Sequence, residues 1–136
     1  MLLIRTEFGK TIGGYTHYPW DAAGGEEGKS VNDAKRKAFI FSLDMLEKFV
    51  PQGDNYLIQN KNSYGPTFGG GADIYIGDKC NIEKNSRANF PYTYNREGGN
   101  KLGNNQTTWT MFSGATNGYK FKVVEYEVFR LEIAQQ

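Results

Sequence analysis

Leu2-Leu3-Ile4-Arg5-Thr6-Glu7-Phe8-Gly9-Lys10-Thr11-Ile12-Gly13-Gly14-Tyr15 sets two short apolar, partly β-branched runs on either side of a Phe-Gly-Lys turn. Runs of this length separated by a glycine-containing turn predict a β-hairpin, with the second strand extending towards Tyr18. Pro19 stops that strand because it has no N–H for a ladder, and Trp20 leads into a Gly- and charge-rich loop from Asp21 to about Asn32. Further along, Phe39-Ile40-Phe41-Ser42-Leu43 reads as a buried strand, and Tyr56-Leu57-Ile58-Gln59 and Ala72-Asp73-Ile74-Tyr75-Ile76 as two more. Asp33 to Lys37 and Met45 to Val50 read as single helical turns, and Trp109 to Phe112 as a short strand. Cys80 to about Thr107 lacks any sustained period and reads as a long loop pinned by Phe90, Pro91, Tyr92 and Tyr94. Phe121 to Ile133 alternates but is purely apolar on neither side, the pattern of a central strand covered partly on both faces or twisting across two environments. The expectation is a mainly β chain: one two-sheet antiparallel β-sandwich with a few short helices.

Composition agrees and removes several function classes. With 136 residues the chain is long enough for one core, and nine Phe, nine Tyr and two Trp supply flat side chains that suit pleated sheets. Sixteen basic residues against fifteen acidic ones, a net charge of +1, give no electrostatic footprint for nucleic acid. No run approaches the ~20 apolar residues of a membrane span, so no membrane insertion is expected. A single cysteine, Cys80, cannot form an internal disulfide and fits an intracellular setting.

Few residues carry recognisable chemistry. Gly69-Gly70-Gly71 invites a phosphate-loop reading, but no Lys-Ser/Thr pair follows and Ala72 opens a strand, so a tight glycine bend under Phe68 is expected. His17 is the only histidine, which excludes a multi-histidine metal site within the chain. Cys80 beside Lys79 suggests a reactive thiol, against the plainer reading of a small loop residue without a resolving cysteine. Asp73, Asp78 and Glu83 cluster near one loop, and Asp44, Glu47 and Asp54 near another, neither in a calcium-loop pattern. Glu125 and Glu127 share one face of the last strand; if that strand is central, at least one needs a partner such as Arg5 or Arg130, or sits at a rim. The Tyr- and Asn-rich loop holding Tyr92, Tyr94, Asn95, Asn100, Asn104 and Asn105 suits sugar stacking or a protein interface.

Several stretches together resemble one family. Phe8 to Trp20, Ala38 to Leu43, Ser63-Tyr64-Gly65-Pro66-Thr67-Phe68-Gly69-Gly70-Gly71-Ala72-Asp73-Ile74-Tyr75-Ile76, and the closing run Phe121 to Leu131 are similar, in order and spacing, to segments of TLDc domains, especially those of protists. The resemblance implies a two-sheet sandwich with Trp20, Gly65, Pro66, Phe68, Gly69, Gly70, Gly71, Asp73 and Glu127 as its structural motif. It implies a role in oxidative-stress resistance and in binding and regulating the vacuolar-type proton pump, with no agreed catalytic residues, no metal and no cofactor. TLDc domains carry a further, partly helical segment ahead of the strand that starts here at Leu2. Residues 1–136 are therefore expected to form one domain, shortened at its N-terminus, whose uncovered apolar surface favours self-association or a protein partner. The functional expectation is a non-enzymatic interaction module docking through Tyr92, Tyr94 and Asn95, with a carbohydrate-binding sandwich or a Cys80-based redox protein as alternatives.

Overall fold

A computed structural model describes residues 1–16, 29–31, 38–53, 57–60 and 65–129. The opening hairpin forms as expected: Leu2, Ile4 and Thr6 are buried while Leu3 is half-buried and Arg5 exposed, the period-two signature of a strand with one face on a core. Gly9 takes a φ of +80° at the turn, where a side chain would be strained, and Lys10 O receives the N–H of Thr6 at 2.9 Å.

Two six-stranded sheets result. The first runs, in spatial order, β10 (Tyr94–Asn95), β5 (Glu47–Pro51), β4 (Phe39–Ser42), β2 (Thr11–Tyr15), β1 (Leu2–Thr6) and β12 (Val123–Val128). The second runs β11 (Lys120–Phe121), β9 (Ser86–Arg87), β8 (Ile74–Tyr75), β7 (Thr67–Phe68), β6 (Ile58–Asn60) and β3 (Lys29–Val31). The strand pairs are antiparallel throughout. The sheets close on a shared core to which the first gives Leu2, Ile4, Ile12, Ile40 and Phe49, and the second Ile58, Phe68, Ile74 and Phe121. Gly14 of β2 lets them meet: a Cβ there would sit 2.6 Å from the Phe68 ring. The mainly β, two-sheet expectation holds, and among the described residues helix is confined to one element.

That helix, α1 (Gln106–Phe112), replaces the short strand expected at Trp109 to Phe112. Its sequence is rich in Thr and aromatics and has poor helix propensity, but Asn105 caps its start by accepting from Thr108 N at 3.2 Å. Packing supplies the rest, because Phe112 stacks on Phe90 with ring centroids 4.4 Å apart and Phe49 lies 4.6 Å from Phe90. Burying aromatic side chains of this size is worth roughly 2–3 kcal/mol each, more than the propensity deficit of a seven-residue helix's exposed positions.

Three further expectations are corrected. Met45 to Val50 is not a helical turn: Leu43 to Leu46 form a tight turn, and Glu47–Pro51 is a strand that sends Phe49 into the core. The long loop after Cys80 contains β9 and β10. Most consequential, β12 is not central but lies at the rim of its sheet, paired among the described strands with β1 alone, with every residue of the strand after Val123 exposed. His17, Trp20 and Asp33 to Lys37 lie outside the described residues. No described helix is long and apolar enough to cross a membrane.

Candidate interaction surface

The glycine-rich stretch folds as a corner around a buried carboxylate. Gly69 has φ +82° and donates its N–H to Leu57 O at 3.1 Å, while Gln59 Nε2 donates to its carbonyl at 2.9 Å. A Cβ on Gly69 would lie 1.8 Å from Asp73 Oδ1, and one on Gly71 2.7 Å from the Tyr92 ring. Gly70 N–H goes to Thr93 Oγ1 at 2.9 Å. Gly65 is held by contact as well, since a Cβ there would meet Ile76 O at 2.7 Å, and Pro66 O accepts from Ile76 N at 3.3 Å. These main-chain groups are engaged inside the fold, so the tight bend is the outcome and the phosphate cradle is not.

Asp73 is fully buried and accepts the N–H groups of Tyr92 at 2.9 Å, Thr93 at 3.0 Å and Tyr94 at 3.1 Å. Burial pushes its carboxyl up to about 7, against the downward pull of those three donors. The side chain thus ties β8 to the Tyr92–Tyr94 segment of the opposite edge. Phe68, also fully buried, meets Tyr94 edge-on at 6.2 Å.

The Tyr- and Asn-rich loop divides sharply. Tyr94, expected at a partner interface, is fully buried and donates its hydroxyl to Leu57 O at 2.6 Å, so its side chain cannot meet a partner. Asn95 clamps a neighbouring loop: its Nδ2 donates to Leu102 O at 3.1 Å and its Oδ1 accepts from Leu102 N at 2.9 Å. Asn104 bonds Pro91 O and Trp109 Nε1, and Asn105 caps α1. Only Tyr92 of the three is presented outward, 65% exposed. The amides of Asn95, Asn104 and Asn105 are thus turned to internal work, while Asn100 is exposed.

The remaining chemical candidates are equally quiet. Cys80 is half-buried and burial pushes its thiol up, away from a reactive thiolate. Asp44 accepts from Thr11 N at 2.7 Å, and Glu47 holds Arg96 in a two-pronged pair at 2.8 and 2.7 Å. Among the described residues no three His, Cys, Asp or Glu side chains gather as a metal site would require.

Among the described residues, the β12 rim combines an open sheet edge with exposed apolar side chains. Directly opposed residues in an antiparallel pair share a face, so the pairs Leu2↔Val128 and Ile4↔Tyr126 put Val128 and Tyr126 on the core side of the sheet. Yet Tyr126 remains 45% and Val128 54% exposed, although Leu2 and Ile4 beside them are fully buried. The second sheet stops short of them. Between β12 and the Ile76–Asn81 turn opens a cleft of about 500 Å³, lined by Gly65, Ile76, Cys80, Val123 and Tyr126 among others. Glu125 and Glu127 stand on the opposite, solvent face, across from Arg5 and Leu3. Being exposed at a rim, they need no buried partner. Glu127 thus belongs to this surface, and its place at the sheet edge separates it from the buried members of the motif, Phe68 and Asp73.

Comparison with known families adds one finding. The family model for the TLDc domain matches residues 1–132. No curated protein and no solved structure matches the chain. The match spans almost the whole sequence and includes both the glycine corner and the β12 rim. The chain belongs to the TLDc domain family.

Proposed function

We propose that the chain is a protein-interaction module with no catalysis of its own, acting inside the cell in oxidative-stress resistance and in regulation of the vacuolar-type proton pump. The pump and the stress role come from the family resemblance. The observation that supports an interaction module is the β12 edge, where Tyr126 and Val128 on the core side, Val124 along the same strand and Phe129 just after it are all substantially exposed. An apolar strip of that kind on a sheet edge marks contact surface in proteins otherwise well packed. The polar chemistry of the glycine corner, by contrast, is occupied by main-chain hydrogen bonds.

The test is affinity purification of the tagged chain from its own cells, with mass spectrometry and sizing of what is recovered. Proton-pump subunits in stoichiometric amount, together with a changed ATPase rate when the purified chain is titrated into the isolated pump, are the expected result. Recovery of the chain alone and monomeric, with the pump unaffected, would overturn the reading.

A further inference from the structure

The geometry points to β12 as a strand-addition site for an extended partner segment that alternates apolar and basic residues. This rests on the interaction-module reading and specifies how it would work. The direction of the free main-chain groups is fixed by the end of the strand pair: Phe129 N donates to Met1 O at 2.7 Å and the Met1 amino group donates to Phe129 O at 2.6 Å. An antiparallel ladder alternates such doubly bonded pairs, so Glu127 and Glu125 turn their N–H and C=O inward to β1. Tyr126 and Val128 therefore turn theirs outward. At the start of the strand the outward position is already taken, since Val123 N donates to Cys80 O at 2.8 Å. The turn around Cys80 thus acts as a stop that sets where an added strand can begin.

The side chains specify the occupant. A strand laid along this edge continues both faces of the sheet. On the core face its residues would pack beside Tyr126 and Val128, which are 45% and 54% exposed, and apolar side chains suit those two positions. On the solvent face they would lie beside Glu125 and Glu127, and Val123 to Phe129 contains no basic residue to offset those carboxylates. Arg5, directly across from Glu125, shares its face and offsets one carboxylate, whereas Glu127 stands across from Leu3 and has no basic residue opposite it. Basic residues on the incoming strand complete the charge balance. In registers centred on Glu125, Tyr126 or Glu127 a second copy fits poorly for the same reason. Pairing the middle of β12 with itself, antiparallel about Tyr126, sets Glu125 across from Glu127 twice, and shifting the axis to Glu125 or Glu127 sets like residues face to face. Like charges directly opposed in a ladder are unfavourable.

The probe is a synthetic peptide alternating valine and lysine, added to the full chain, with a valine–glutamate peptide as control. Amide exchange and chemical shifts followed by NMR should show new protection at Tyr126 and Val128, and anisotropy should show the lysine peptide binding at least about tenfold more tightly than the control. Val128→Pro removes an outward N–H and leaves the bonds to β1, so it should abolish binding while the fold persists. Glu125→Lys with Glu127→Lys should invert the preference between the two peptides. Equal affinity for both peptides, shifts mapping away from β12, binding untouched by Val128→Pro, or peptide-free protection that rises with protein concentration, the mark of a second copy, would each overturn the proposal. Pump subunits still recovered by the Val128→Pro chain would sink the edge and leave the module reading standing. Peptide bound at β12 with no cellular partner recovered would do the reverse.

Discussion

The corner around Asp73 and the rim at β12 treat their main chains in opposite ways. At the corner the main chain is largely matched: Gly69 N–H to Leu57, Gly70 N–H to Thr93, and three successive N–H groups to one carboxylate. At the rim the backbone of Tyr126 and Val128 faces outward and their core-side side chains lack a covering layer. The richest sequence motif therefore marks the part of the molecule that holds itself together. The part suited to meeting something else carries the plainer sequence, Val-Val-Glu-Tyr-Glu-Val. Saturated groups stabilise a fold and unsaturated ones recruit, so substitutions at the two places should differ in kind.

Gly69→Ala should have the largest effect. It places a Cβ 1.8 Å from Asp73 Oδ1 at a φ of +82°, combining overpacking with a left-handed backbone. A loss of about 3 kcal/mol or more is expected. Gly53→Ala is the matched control, with nothing within 4 Å of its would-be Cβ. Urea titrations of the two should separate clearly, and equal midpoints would mean the corner is not the keystone described here.

Asp73→Asn comes next, at about 1–3 kcal/mol, because an amide turns its own NH₂ towards donors that the carboxylate oxygens now satisfy. The wild type should also show a pH signature. With the folded-state carboxyl raised to about 7 from an ordinary 3.8, the folded protein holds a proton that the unfolded chain has released between those values. Stability from this group is full below about 3.8, falls as pH rises to about 7, and is flat above. Asp73→Asn abolishes that slope, so the stability advantage of wild type over variant shrinks from acid to neutral pH. A wild-type advantage that instead grows over that range would show the three N–H donors outweighing burial.

Much of this contrast was legible beforehand, and the misses have physical causes. The opening hairpin, the Phe39 strand and the glycine bend follow from local pattern and turn chemistry. Helix α1 was hidden because Thr107, Thr108, Trp109 and Thr110 favour strands, though the Asn105 cap and Gly114, with φ +87° at its end, are start and stop signals. Tyr92 and Tyr94 are two apart in sequence and indistinguishable by type, but only Tyr94 meets the Leu57 carbonyl that permits burial of a hydroxyl. Whether β12 is central or at a rim depends on which strands pair, a long-range fact. Even so, Glu125 and Glu127 on a single strand are themselves a hint of an edge.

Cys80 lies between the regions, lining the cleft and lending its carbonyl to β12. Cys80→Ser should cost below about 1 kcal/mol, since the half-buried sulfur is lost but the carbonyl contact is kept. With burial raising the thiol, iodoacetamide should label it more slowly at neutral pH than it labels a free cysteine. Faster labelling would return Cys80 to the redox reading and make the cleft a chemical site.

The smallest stability change is expected where the functional one is greatest. Tyr126→Lys replaces a side chain already 45% exposed at an edge, so the urea midpoint should move by no more than about 0.5 kcal/mol. The aliphatic stem of lysine can lie over the same cleft, whereas its charge opposes an incoming basic strand and its bulk removes the apolar seat. Stability kept and partner recovery lost would confirm that the rim recruits without holding the fold. A loss comparable to that of Asp73→Asn would instead mean that Tyr126 is covered in the folded chain and belongs to the core after all.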